Sequence, residues 1–314
     1  MLSRTADHVY WLGRYAERAE NLARTIDVQY RLSLLPHAGS AEQQGWEKVL
    51  ATLGLEAAYA ERHAALEPHR IIDFLAFDSS NPSSILSCLR TSRENARAVR
   101  GAISSEMWET FNATWLEARA QAPSRFTALN IAEFLDWVKY RAHLARGVVL
   151  GSMLRDESYQ FMQIGTFLER ADGVARLLLV RLASDAEAVT EGIAPHDYYP
   201  WSMLLRGLSA FENFRRVSRD SVSPARVLEF VILHQAVPRS IYRSTNLVYD
   251  NLRAVASGQS AETVRRAGLL HAELRFGTLA TLAPQGGARF LHGLLDRTAD
   301  LSDRIGRDFL GHVA

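Results

Sequence analysis

Apolar residues recur at spacings of three and four along nearly the whole chain, whereas alternating apolar and polar runs of strand length are hard to find. This pattern predicts an all-α fold. A first long helix is expected from Ser3 to about Leu35, where Pro36 ends it, and a second over about 152–184. Shorter helices are expected over about 41–62, 68–78, 82–101, 104–121, 125–149, 198–216, 222–235, 238–256, 260–282 and 287–311.

The sequence also resembles itself. Residues 13–24 (GRYAERAENLAR) match residues 165–176 (GTFLERADGVAR) at an offset of 152, and six of these twelve positions are identical. Farther along, residues 71–85 align without a gap to 227–241 at an offset of 156, and Trp46 falls on Trp201 at an offset of 155. These matches predict a tandem duplication with repeats over 1–151 and 152–314, each of about six helices.

Duplicated halves carry the same apolar surface, so we expect them to pack about a pseudo-twofold axis as one compact unit. The two long helices would then lie at the centre, and the motifs Glu17-Arg18 and Glu169-Arg170 would face one another or line a shared groove. A second arrangement, with the halves side by side as separate bundles, stays open.

Helical geometry places the polar residues of the first motif along one stripe, which holds Tyr10, Arg14, Glu17, Asn21 and Arg24, with Arg18 alongside. Three interpretations compete: a surface ladder in which Glu17 pairs with Arg14 and Asn21, a buried structural network, or a site for a charged ligand. Repetition of the Glu-Arg pair weighs against the ladder, because buried ion networks are costly to alter by halves. The candidate ligand-binding residues are Arg14, Glu17, Arg18, Asn21, Arg24, Glu169, Arg170 and Arg176.

A second charged cluster follows the helix entry at Asn81-Pro82. It consists of Arg90, Arg93, Glu94, Asn95 and Arg97, together with Arg100. Such a cluster could hold a phosphate or a carboxylate through charge-assisted hydrogen bonds. Only Arg253 agrees with a cation of this cluster, Arg97, in the second half, so a specialised site and a diverged surface both stay open.

Composition excludes several classes of protein. A net charge of +1 over 314 residues argues against a polybasic protein that binds nucleic acid or a membrane surface. No run approaches the roughly eighteen apolar residues of a membrane span. The single cysteine, Cys88, lies on an apolar helix and is expected to be a buried small hydrophobe. Because Arg4 and Asp7 interrupt the apolar run that a signal peptide would need, we expect a cytoplasmic protein.

Ligand spacings for metals are absent from the sequence. The ten histidines never lie three or four residues apart and no Glu-x-x-His occurs, so no zinc or di-iron site is predicted. No glycine-rich phosphate loop stands at a strand-to-helix turn. We therefore expect neither a metal nor a cofactor.

Three segments carry a resemblance to a known family: residues 10–24 (YWLGRYAERAENLAR), 81–112, and 167–178 (FLERADGVARLL). They resemble the bacterial alpha-E domain family, a helical family named for its Glu-Arg motifs, and the resemblance extends over essentially the whole chain. It implies that Glu17, Arg18, Glu169 and Arg170 are the signature residues. Thr166 departs from the first copy, which has Arg14, and this argues against a strictly symmetric ligand.

Members of that family are typically encoded beside, or fused to, circularly permuted ATP-grasp proteins and transglutaminase-like proteins. The resemblance therefore implies a part in an ATP-dependent amide-bond-forming or peptide-modifying system. We expect a non-catalytic binding or scaffold component of that system. The alternative is an enzyme in its own right, in which Glu17 or Glu169 is the general base and Arg18, Arg90 or Arg97 fixes an anionic substrate.

Overall fold

A computed structural model describes residues 1–35, 39–121, 128–190, 198–218 and 221–311. Within these ranges the chain is helical and contains no strand, which confirms the all-α prediction. The helices are α1 Ser3–Ser33, α2 Gly39–Leu53, α3 Glu56–Ala60, α4 Pro68–Ala76, α5 Ile85–Ala98, α6 Ser105–Gln121, α7 Ala128–Ser152, α8 Glu157–Thr190, α9 Tyr198–Gly207, α10 Phe211–Val217, α11 Pro224–Leu233, α12 Ile241–Ala254, α13 Ala261–Phe276, α14 Leu279–Leu282 and α15 Gly287–Phe309.

Three expected helices are each divided in two. The helix predicted over 41–62 breaks at Gly54, which has a φ of +69°, and the one predicted over 198–216 breaks at Ser209, with a φ of +54°. A left-handed residue ends a helix because it turns the chain out of the helical path. The third, predicted over 260–282, stops at Gly277 before the short α14.

The second long helix begins later and ends later than predicted. It starts after Asp156, whose Oδ1 accepts hydrogen bonds from the backbone N–H groups of Ser158 (3.0 Å) and Tyr159 (3.2 Å). It continues past residue 184, where Asp185 pairs with Arg181 and accepts a 2.9 Å hydrogen bond from Trp201 Nε1. These side-chain contacts extend the helix into a polar stretch that the sequence indicated as a loop.

Helices α5 and α12 begin in the same way, three residues later than the sequence predicted. Ser84 caps α5 by accepting the N–H of Ser87 (3.2 Å), and Ser240 caps α12 by accepting the N–H of Arg243 (3.0 Å). Asn81, predicted as the helix entry, instead accepts the N–H of Ser83 at 3.0 Å in the preceding turn.

Helices α1 and α8 pack against each other along the centre of the fold, as predicted for the two long helices. Every residue over 22–29 of α1 is buried, because neighbouring helices cover all of its faces there. One apolar cluster, on α1 to α5, α7 and Val180 of α8, contains Trp46 and Phe74. Another, on α8 to α15 and Val28 of α1, contains Trp201 and Phe230.

Two further sequence expectations bear on this fold. Cys88 is fully buried on α5, as predicted. Across the described ranges, the helices lack the combination of length and apolarity that crossing a bilayer requires.

Candidate functional site

The backbones of α1 and α8 approach each other closely at two glycines. A Cβ atom added to Gly13 would overlap the carbonyl oxygen of Met162, and one added to Gly165 would overlap the carbonyl oxygen of Tyr10. Both backbones can therefore meet here only because neither glycine carries a side chain. One helical turn later, each helix presents its Glu-Arg motif to the other.

The first carboxylate at this crossing belongs to Glu169 of α8. Arg18 of α1 donates to both of its oxygens, from Nε to Oε1 at 2.6 Å and from Nη2 to Oε2 at 3.1 Å, and Arg14 donates to Oε2 from Nε. Burial alone would raise the pKa of Glu169, but the charges and hydrogen bonds of Arg14 and Arg18 outweigh it and lower this pKa to about 2. Glu169 is therefore a fully ionised, buried acceptor.

Glu17 of α1 has the reciprocal arrangement. Arg170 of α8 donates from Nε to Oε1 at 2.9 Å and from Nη2 to Oε2 at 2.7 Å, and Arg239 donates to Oε1 at 3.0 Å. Burial works to raise the pKa of Glu17, whereas Arg170 and Arg239 lower it below its usual value. Glu17 does not pair with Arg14, because the acceptor of Arg14 lies on the opposite helix.

Glu20 extends this network, in which Glu20, Arg146 and Arg239 were not predicted from the sequence. It lies one turn beyond Glu17, pairs with Arg24 (Nη2–Oε1, 2.8 Å) as the four-residue spacing indicates, and also accepts Arg146 of α7 and contacts Arg239. Arg239 follows Pro238 and aligns with Ser83 of the first half. It is the one arginine in the gap-free alignment of 71–85 with 227–241, and this difference could have identified it from the sequence. No pattern in the sequence marks Arg146.

A cavity of about 260 Å³ opens beside Glu169, between α1 and α8. Its charged and polar wall includes Arg14, Arg18, Ser83, Glu169, Asp172 and Arg176, and this space is called the α1–α8 cavity below. Arg18 and Arg176 have 27% and 32% of their side-chain surface exposed, so both are accessible to a ligand. Asn21 also lines the cavity and donates to the backbone carbonyl of Glu169 at 3.0 Å.

Arg24 and Arg176 hold corresponding positions on α1 and α8. Arg176 pairs with Asp172 on its own helix (Nε–Oδ2, 2.7 Å) and donates from Nη1 to the carbonyl of Thr52 at 2.5 Å. Arg24 pairs with Glu20 and donates to the carbonyl of Gly207. Only Arg176 reaches the α1–α8 cavity, because Arg24 is buried.

The second predicted cluster lies elsewhere, on α5, and its members bind one another. Glu94 pairs with Arg93 and with Arg97 (2.9 Å), Arg93 also donates to Asn112 Oδ1 at 3.0 Å, and Asn95 donates to the carbonyl of Thr91 at 3.0 Å. Arg90 is exposed on the same helix. None of these five predicted residues lines the α1–α8 cavity.

Comparison with known proteins identifies the group to which this arrangement belongs. The profile of the Alpha-E family, described as a predicted alpha-helical domain with a conserved ER motif, matches residues 1–310. Uncharacterised proteins from Mycobacterium bovis and from two strains of Mycobacterium tuberculosis are each 24% identical to this chain over 292 residues. The match covers 87% of this chain and 32% of each relative, so the chain spans about a third of the length of these relatives. No solved structure matches it.

The family profile extends over both Glu-Arg pairs, which the structure brings together at the crossing of α1 and α8. The names of the mycobacterial relatives state no function, so these relatives indicate no activity for this chain. The chain belongs to the Alpha-E family.

Proposed function

We propose that this protein is a non-catalytic binding or scaffold component of an ATP-grasp-linked system that forms amide bonds or modifies peptides. The α1–α8 cavity is its ligand site. The observation that carries this proposal is an open cavity whose wall holds arginines and carboxylates of the two Glu-Arg motifs. Charged groups of fixed geometry in a partly enclosed space are suited to recognising a charged side chain of a substrate.

The proposed partner is a circularly permuted ATP-grasp protein, with a transglutaminase-like protein as a second partner. Family membership supports this, since the resemblance implies that both are encoded beside or fused to such domains. In the mycobacterial relatives, about two thirds of the chain lies outside the match, which leaves room for fused domains. A partner that consumes ATP also favours a cytoplasmic location, as the single cysteine does.

The α1–α8 cavity is proposed to lie beside the pseudo-twofold axis that relates two duplicated halves, 1–151 and 152–314. Contacts that recur after exchange of the halves support this arrangement. Arg18 pairs with Glu169 as Arg170 pairs with Glu17, and the two close contacts of Gly13 and Gly165 exchange in the same way. A cavity beside such an axis would receive side chains from both halves.

Binding fits the electrostatics better than general-base catalysis. A general base is most effective when its pKa lies near the working pH, whereas the pKa of Glu169 is about 2 and that of Glu17 is lowered. Both carboxylates also accept hydrogen bonds from arginines at each oxygen. Proton abstraction would have to break these pairs in a buried site.

Affinity purification of the tagged chain from its native host tests the partnership. We expect an ATP-grasp protein among the co-purifying proteins, identified by mass spectrometry. The purified partner should then form its amide product faster in the presence of this chain than alone. An equal rate of product formation with and without the chain would contradict the proposed role.

Two matched arginine variants locate the site. Arg18→Gln alters the cavity wall while Glu169 keeps its pair with Arg14, so we expect a slower ligase reaction from a folded protein. Arg93→Gln removes an arginine of similar exposure on α5, away from the cavity, and should leave the rate unchanged. The opposite result would move the site from the cavity to the cluster on α5.

A further inference from the structure

The two Glu-Arg motifs lie in similar environments that differ in their number of arginines. Among the described residues, four arginines lie around Glu17 and Glu20, and three lie around Glu169 and Asp172. The four are Arg24, Arg146, Arg170 and Arg239, and the three are Arg14, Arg18 and Arg176.

Two members of the larger group have positional counterparts in the smaller one, and a third has an equivalent. Arg170 and Arg18 each bind the glutamate of the opposite motif through Nε and Nη2. Arg24 and Arg176 each bind an acidic residue four positions earlier and a backbone carbonyl of the α2 or α9 segment. Arg146 corresponds to Ser302 at the offset of 156, and Arg14 donates to Ser302 Oγ at 3.0 Å, so Arg14 supplies there the further cation that Arg146 supplies to the first group.

Arg239 has no such counterpart. Its guanidinium fills the space between Glu17, Glu20 and Asn21: Nη1 lies 3.0 Å from Glu17 Oε1 and 3.3 Å from Asn21 Oδ1, and Nη2 contacts Glu20. It follows Pro238 as Ser83 follows Pro82, at the offset of 156. Ser83 and Glu169 both line the α1–α8 cavity, so a longer side chain at position 83 would extend into it.

We infer that the α1–α8 cavity binds a guanidinium group of a ligand, which takes the place that Arg239 occupies in the other half. This deepens the proposed function, on which it rests, by giving the chemical class of the ligand. The protein already binds a guanidinium, that of Arg239, at the corresponding place beside Glu17 and Glu20. Asp172, one methylene shorter than Glu20, adds room and has 23% of its side chain exposed.

The balance of charge permits a cation here. With a guanidinium bound, the cavity group would hold four cations and two carboxylates, the same balance as the buried group around Glu17 and Glu20. Arg18 and Arg176 already direct their Nε and Nη2 atoms at Glu169 and Asp172, which fixes both carboxylates as acceptors at the cavity wall. An anion on the exposed arginines is the competing ligand, and the test includes it.

Calorimetric titration of the full chain with Nα-acetyl-arginine amide tests the inference. We expect saturable binding at one site. Nα-acetyl-citrulline amide, which has nearly the same shape without the charge, should bind at least about tenfold more weakly, and Nα-acetyl-glutamate amide should not bind. Agmatine in parallel distinguishes a free small guanidine from a peptide arginine, because only the amide probe carries the peptide backbone.

Three variants test whether the arginine probe binds in the α1–α8 cavity. Ser83→Arg should fill the cavity from within and abolish binding, whereas the control Ser79→Arg adds the same charge on an exposed turn and should leave binding unchanged. Arg239→Ser should open a second cavity and raise the stoichiometry to two, since Glu17 keeps Arg170 and Glu20 keeps Arg24. If Arg239→Ser does not fold, the binding of the arginine probe to Ser83→Arg and the affinity of the citrulline probe decide whether the inference is correct.

Equal affinity for the arginine and citrulline probes, or unchanged binding to Ser83→Arg, overturns the inference. If the glutamate probe binds instead and Ser83→Arg blocks it, the cavity remains the ligand site of the proposed function and only the guanidinium assignment falls. If no probe binds while the ligase still depends on the chain, the inference falls and the partnership stands.

Discussion

Replacement of Glu17 by alanine tests whether the Glu-Arg motif is a buried network. Glu17 is 2% exposed and receives two hydrogen bonds from Arg170 and one from Arg239. In Glu17→Ala, Arg239 keeps its contact with Glu20, but Arg170 loses the carboxylate that it binds in a buried position. Breaking a buried pair in this way costs about 3–5 kcal/mol of unfolding free energy.

The expected change in melting temperature follows from the length of the chain. An unfolding entropy of about 2.1 cal/mol/K per residue gives roughly 0.66 kcal/mol/K for 314 residues. The loss of about 3–5 kcal/mol therefore lowers the midpoint by about 5–8 °C, as measured by differential scanning calorimetry.

Glu262→Ala is the matched control. Glu262 pairs with Arg265 at 2.7 Å and Arg266 at 2.9 Å, but all three side chains are exposed, so the midpoint should move by no more than about 1.5 °C. The double variant Glu17→Ala/Arg170→Ala should lose less than the sum of the two single variants, because no unpaired charge remains. A Glu17→Ala loss no larger than that of Glu262→Ala would refute the buried network.

Three further outcomes are expected. Because the pKa of Glu169 falls from 4.5 to about 2 on folding, its contribution of about 3 kcal/mol is present above pH 4.5 and is lost as the pH falls toward 2. The free energy of unfolding of Glu169→Gln, measured with urea, should therefore vary less with pH in this window than that of the original protein. An equal pH dependence of the two proteins would contradict the lowered pKa of Glu169. Burial raises the pKa of the Cys88 thiol to about 12, so a thiol reagent should label it only after unfolding; rapid labelling of the native protein would show the assignment to be wrong. Gly13→Ala should lower the midpoint, since its methyl would overlap Met162, whereas Gly147→Ala, which has open space on α7, should raise stability by up to about 1 kcal/mol; equal effects would argue against the close crossing.

Periodicity predicted the helices well and their interruptions poorly. The breaks at Gly54 and Ser209 lie inside continuous apolar patterns, because the short helices on each side of a break turn their apolar faces to the same core. The spacing of apolar residues depends on which side chains are buried and not on the direction of the backbone. It therefore cannot reveal a single left-handed residue such as Ser209. The late end of α8 was missed for a related reason, since Asp185 is held by Trp201 from another helix.

The candidate site, like the helices, was predicted only in part from the sequence. Repetition of the Glu-Arg pair selected Glu17 and Glu169, but the contacts within one helix predicted the wrong partner for Glu17. Its cations come from α8 and from residues 129 and 222 positions away, Arg146 and Arg239. Helical spacing describes neighbours on one helix, and nothing in it identifies a side chain that arrives from another helix.

Exchange of charges between α1 and α8 has a consequence for how the two segments depend on each other. Arg18 finds its carboxylate on α8, and Arg170 finds its carboxylate on α1. If one long helix were packed into its apolar core without the other, its charged groups would be buried without their counterions. This would cost several kcal/mol per buried ion. The motif is therefore satisfied only at the crossing, and the same requirement holds the α1–α8 cavity in place, because its wall is built from the residues that make these pairs.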